Sequence, residues 1–102
     1  MIKFTVLYPR VENAFFDFEY YLSHHLALTQ RLLGSAMQKF EVEKGISGYE
    51  GTPAPYVAIG SLYFESLEKF KASFLVHLEE LRNDMPKFTN IPPLIQIGEV
   101  LQ

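Results

Sequence analysis

The sequence has no cysteine. Disulfides, thiolate metal sites, iron–sulfur clusters and cysteine nucleophiles are therefore excluded. It has no tryptophan either. No uninterrupted apolar run is long enough to span a bilayer. The nine Lys and Arg residues are scattered, and the formal net charge is −3. Without a basic stripe, a phosphate backbone finds no footing, so neither nucleic acid nor membrane is expected as a partner. The chain enters a strand pattern at once, without the charged and apolar regions of a signal peptide, and a cytoplasmic location is expected.

What is present is apolar and aromatic. Hydrophobic residues make up 48% of the 102, which indicates a globular chain rather than a disordered one. The length suits one domain, residues 1–102, with one small core. Nine Phe and six Tyr bring the aromatic share to 15%. That is more than so small a core absorbs, so part of it is expected to meet a partner or a ligand.

Residues 2–8 alternate as a strand, with Ile2, Phe4, Val6 and Tyr8 on one face. Residues 16–34 form an amphipathic helix. Asp17 is its N-cap, Phe16 and Tyr21 have the spacing of a hydrophobic staple, and Gly34 ends it. Residues 36–45 read as a polar edge strand of imperfect alternation, with Met37, Lys39, Glu41 and Glu43 on one face. The glycines and prolines of residues 46–55 mark a long hairpin loop. Residues 56–65 are apolar on both faces and form a central strand. Ser66 caps a second helix with the stripe Leu67, Phe70, Phe74, His77, Leu78 and Leu81. Residues 94–101 form the last strand, again apolar on both faces.

The order strand, helix, strand, strand, helix, strand is the ferredoxin-like βαββαβ arrangement of the α+β class. It places two helices on one face of a four-stranded antiparallel sheet. The other face, carrying apolar side chains from the central strands, is left uncovered. The simplest cover is a second copy of the chain, packed sheet to sheet as a homodimer.

Two adjacent histidines interrupt the first helix. His25 lies on the apolar stripe with Tyr21 and Leu28, and His24 lies on the polar side with Tyr20 and Arg31. An inward imidazole is either a core residue satisfied by its neighbours or a proton-transfer group beside a ligand. Spacing alone favours the first. Burial would keep His25 neutral and able to exchange a proton near neutral pH. Tyr8 or Tyr21 would supply a hydroxyl. His77 and Phe74 on the second helix face the same side of the sheet, so His77 is a second candidate for the same pocket. The bland reading leaves it flanking the stripe. Metal ligands are not expected: no pair of His or Glu residues has zinc-site spacing on one helical face, and Glu79, Glu80 and Asp84 read as a solvated face. None of the serines sits in a nucleophile elbow.

The chain resembles the EthD family, named for ethyl tert-butyl ether degradation. The resemblance rests on Leu7-Tyr8-Pro9, on Phe16-Asp17 before Tyr20-Tyr21, and on His25-Leu26-Ala27-Leu28. It continues through Pro53 to Gly60, Leu62-Tyr63-Phe64, Phe88 to Pro93 and Gln96 to Val100. The family histidine falls on His25, and the family proline after it is Ala27 here, which implies a straighter helix. The resemblance implies a dimeric α+β barrel with a pocket between helices and sheet. That pocket would take a small hydrophobic or aromatic oxygenated compound, for cofactor-independent acid/base or oxygenation chemistry in a catabolic pathway. The alternatives are a non-catalytic accessory or carrier protein and a haem-binding barrel with an inward axial histidine. The binding residues expected beside His25 are Tyr8, Tyr21, Leu28, Phe74 and His77, with no cofactor.

Overall fold

The computed structural model describes residues 1–102. Strand β1 (Ile2–Pro9) leads to helix α1 (18–33), and strands β2 (Met37–Lys44) and β3 (Tyr56–Phe64) follow. Helix α2 (67–84) and strand β4 (Leu94–Glu99) complete the chain. The sheet order is β2-β3-β1-β4, and every neighbouring pair is antiparallel. This is the ferredoxin-like α+β fold the element order called for.

The caps act as the residue types require. The Asp17 carboxylate accepts from the Tyr20 amide at 3.0 Å, and the Ser66 hydroxyl accepts from the Lys69 amide at 3.2 Å. Gly34 stops α1 at φ 54°, a region that costs glycine little. The Phe16 and Tyr21 rings meet across the helix start at 5.2 Å.

Two strands differ from the sequence expectation. The uneven alternation of β2 comes from a register shift between Met37 and Lys39. Met37 pairs opposite Phe64 and packs on the core, away from the face of Lys39 and Glu41. A bulge inserts one residue and breaks the period of two, so Met37 changes face. Strand β4, expected over residues 94–101, ends at Glu99 and stands at an edge of the sheet. Ile95 and Ile97 point to the helix side opposite Val6 and Phe4, yet remain 55% and 48% exposed. The helices do not reach over them.

Two buried clusters lie between helices and sheet. Phe4, Leu33, Leu62, Phe64, Phe70, Phe74 and Leu81 form the larger. Tyr8, Tyr21, Ala58, Phe88 and Ile91 form the smaller.

Candidate functional site

Helix α1 is not a uniform α-helix. Phe18–Tyr20 is α-helical, Tyr21–His25 is a π turn, and Leu26–Leu33 returns to α. The α-helix runs unbroken through Ala27, and the widened turn ends immediately before it. The amide of Leu26 reaches back to the Tyr21 carbonyl, five residues away. Such turns are rare and recur at functional sites. This one directs both Tyr21 and His25 inward, with their rings 5.2 Å apart. The Thr29 hydroxyl donates to the His25 carbonyl at 2.8 Å.

The end of α2 meets this turn. His25 Nδ1 lies 2.9 Å from Asp84 Oδ2, and the Tyr20 hydroxyl donates to Asp84 Oδ1 at 2.8 Å. His25 and Asp84 are each 8% exposed. The Lys87 ammonium stands 3.9 Å from Asp84 Oδ1, on the solvent side. Burial is the largest influence on His25 and lowers its pKa, against an opposing pull from Asp84. For Asp84, burial works upward as the largest single influence. The His25 and Tyr20 hydrogen bonds together with Lys87 overcome it and hold the carboxyl below its ordinary range. The pair at neutral pH is thus a carboxylate and a neutral imidazole. A carboxylate only accepts, so the proton sits on Nδ1 and Nε2 carries the lone pair.

That Nε2 has no hydrogen-bond partner, and the protein holds no fully buried polar side-chain atom without one. It therefore faces accessible space. The space is a cavity of about 660 Å³, within the range of small-molecule sites. Its floor is the inner sheet face with Phe4, Val6, Tyr8 and Leu62, and Phe74, Leu78 and Leu81 of α2 wall it. Ile95 and Arg82, both exposed, stand at its mouth.

Phe88 lies behind the rings of His25 and Tyr21 and does not itself line the cavity. It is fully buried, 4.7 Å from the His25 ring and 4.9 Å from that of Tyr21. Its backbone is tied down, since the Asp17 amide donates to the Phe88 carbonyl at 2.7 Å. The Thr89 hydroxyl donates to the Phe15 carbonyl at 2.7 Å. Burial raises the pKa of both the Tyr8 and Tyr21 hydroxyls well above the ordinary phenol range, so each stays protonated. The Tyr21 hydroxyl lies against Gly60, where a Cβ would come within 2.7 Å of it. Glycine at that point of β3 lets the phenol rest on the sheet.

Of the residues singled out from the sequence, His25, Tyr8, Tyr21 and Phe74 line the cavity. Leu28 is half-buried and packs on the larger core cluster instead. His77 is half-buried in the Leu75–His77 turn of α2 and does not line the cavity, so His25 and His77 do not meet there. His24 is exposed and stacks on Tyr20 at 4.7 Å. Two expectations are corrected. Asp84 is not on a solvated face, and Tyr20, assigned to the polar side, reaches inward to it. Asp84 follows Leu81 by three and precedes Phe88 by four. That spacing was the available signal, obscured because Glu79 and Glu80 belong to the solvated face. No group of three or more His, Asp or Glu side chains is placed to hold a metal ion. No helix is long and apolar enough to cross a membrane.

The EthD domain model matches residues 10–92. An EthD-like protein from Ralstonia eutropha is 38% identical, with 99% of this chain and 92% of that chain covered and a TM-score of 0.92. An EthD family protein from Bacillus halodurans is 21% identical over 99% of both chains, with a TM-score of 0.75. A dimeric protein of unknown function and ferredoxin-like fold from Bacteroides fragilis is 13% identical. It aligns with a TM-score of 0.56, over 97% of this chain and 95% of that one. No curated protein matches. The chain belongs to the EthD domain family.

Proposed function

We propose that this protein binds a small apolar or aromatic oxygenated compound in the cavity and that His25 moves a proton on it through Nε2. The observation that carries the reading is the unpaired Nε2 of a neutral imidazole, at an apolar cavity, with Nδ1 held by Asp84. A carboxylate on one ring nitrogen fixes the tautomer and stabilises the imidazolium that forms when the other takes a proton. The Tyr8 and Tyr21 hydroxyls, kept protonated by burial, are suited to donate to a ligand oxygen. A proton α to a carbonyl is the simplest substrate for this set.

The test is deuterium exchange into the methyl group of acetophenone, followed by NMR. Exchange above the buffer rate is expected for the unaltered protein and none above it for His25→Ala. Binding without exchange would support the second reading, a non-catalytic carrier. The apolar volume and the hydroxyl donors favour that reading equally well, since binding alone asks nothing of Nε2.

Assembly belongs to the same proposal. Leu7 pairs with Ile59 on one side and Leu94 on the other, and Val57 lies beyond on the same outer face. Two copies packed through this patch would form a symmetric dimer. Light scattering behind size exclusion is expected to give twice the chain mass at micromolar concentration and one chain mass for Ile59→Lys. A monomeric unaltered protein overturns the dimer.

A further inference from the structure

Seven residues lining the cavity carry a polar side chain: Tyr8, Tyr21, His25, Thr29, Arg82, Thr89 and Asn90. Three of them are already committed within the protein. The Thr29 hydroxyl donates to the His25 carbonyl. The Thr89 hydroxyl donates to the Phe15 carbonyl and accepts from the Ile91 amide. Asn90 accepts from the Phe15 amide with its oxygen and donates to the Asn13 carbonyl with its nitrogen. What stays available is a buried neutral group, His25 and the paired hydroxyls of Tyr8 and Tyr21, of which one proton is left for a ligand, and the guanidinium of Arg82, which is exposed.

Arg82 is the one cation on the cavity wall, and no carboxylate shares the wall with it. It makes no ion pair, not even with Glu79 one turn earlier on the same helix. Leu78, Leu81, Arg82 and Met85 recur at three and four, so Arg82 sits on the cavity-facing stripe of α2. A planar fork of donors at the open end of an apolar cavity matches a carboxylate, which it grips with two parallel hydrogen bonds.

We infer that the ligand is a small apolar monocarboxylate whose acid group is held at the mouth by Arg82. Its oxygenated end lies deeper, against Tyr21, Tyr8 and His25. The inference rests on the reading of the cavity given above and narrows its ligand class. The body between the two ends is apolar, because Phe4, Val6 and Leu62 offer it nothing else. A second charge on the ligand would meet no counter-ion at the buried end and is selected against.

The test compares benzoylpropionate, an aryl keto acid, with its methyl ester, by calorimetric titration at low ionic strength. The acid is expected to bind at least fivefold tighter than the ester. Arg82→Gln should reduce the acid to the ester's affinity and leave the ester unchanged. The advantage should also shrink as salt is added, since the guanidinium is exposed. Equal affinities in the unaltered protein, or an acid preference that survives Arg82→Gln, overturn the role of Arg82 while leaving the cavity reading intact. If neither compound binds, the cavity reading fails and this inference with it. Tyr21→Phe separates the two further: it should weaken acid and ester alike, because the ketone is common to both.

Discussion

Phe88→Ala is expected to cost about 3–5 kcal/mol of folding stability, the range for deleting a fully buried phenyl group. Domains of this kind have only about 5–15 kcal/mol in total, so this is the largest single-residue effect anticipated. Phe88 has no exposure and its ring touches those of Tyr8, Tyr21, Phe16 and His25. It sits in a connection rather than a helix or strand. Its place is held by the pairing of residue 16 with residue 89 and by the Asp17 amide on its carbonyl. A collapse of the connection into the void is therefore resisted, and the hole persists. In a domain of this size each kcal/mol shifts Tm by about 4–8 °C, so the midpoint should fall by at least about 12 °C. Phe88→Leu should recover a large part. A loss below about 1 kcal/mol for the alanine variant would mean that the ring carries little of the packing assigned to it.

Asp84 produces the second large effect, and its two substitutions should separate structure from chemistry. Asp84→Ala strands the His25 Nδ1 proton and the Tyr20 hydroxyl, and about 1–3 kcal/mol should be lost to the unsatisfied buried donor alone. Asp84→Asn keeps the volume and an acceptor for Tyr20 but can present its amide nitrogen to His25. Nδ1 then becomes the acceptor and the proton moves to Nε2, which no longer serves as a base. Any His25-dependent exchange should fall by about 10²–10⁴-fold, while most of the stability is retained. Heteronuclear NMR of the imidazole nitrogens reads the tautomer directly. An unchanged tautomer in Asp84→Asn would sink the orienting role.

The same pair sets a pH dependence of stability with a definite sign. Both folded-state pKa values lie below the ordinary ones. As pH falls, the unfolded chain therefore binds each proton before the folded one does. His25 contributes stability that is fully present above its ordinary value of about 6.5 and is lost as pH falls through its lower folded value. Asp84 contributes likewise from about 3.9 downward. Stability should thus begin to decline on acidification below about pH 6.5. His25→Phe should flatten that first step and weaken the acidic one as well, because the His25 hydrogen bond is the largest influence lowering Asp84.

Much of the fold was legible because its determinants are local. Asp17 and Ser66 cap the helices because they precede apolar stripes, and Gly34 ends α1 because the chain there needs positive φ. The period-two pattern of residues 2–8 marked a strand, and apolar residues on both faces of 56–65 marked a central one. Sheet order, by contrast, came from the topology that this element order favours, and β4 shows the limit of reading burial from composition. Its isoleucines look like core residues in sequence, but on an edge strand that the helices do not reach over they stay half exposed, Ile95 at the cavity mouth. The bulge in β2 escaped for a similar reason: one extra residue is visible in sequence only as a flaw in alternation.

The sequence by itself determined that His25 faces inward and His24 outward, since one full helical period relates His25 to Tyr21 and to the leucines beyond it. It also determined the family and the topology, because both rest on residues whose order along the chain is the signal. Only the tertiary structure decided what His25 is next to. Asp84 is 59 residues away in sequence, and whether an acid at the end of a helix is solvated or buried depends on which element lies across from it. The π turn at Tyr21–His25 belongs to the same class. Nothing in Tyr-Leu-Ser-His-His demands it locally, and it forms where the helix must seat two rings on Phe88 and the sheet at once.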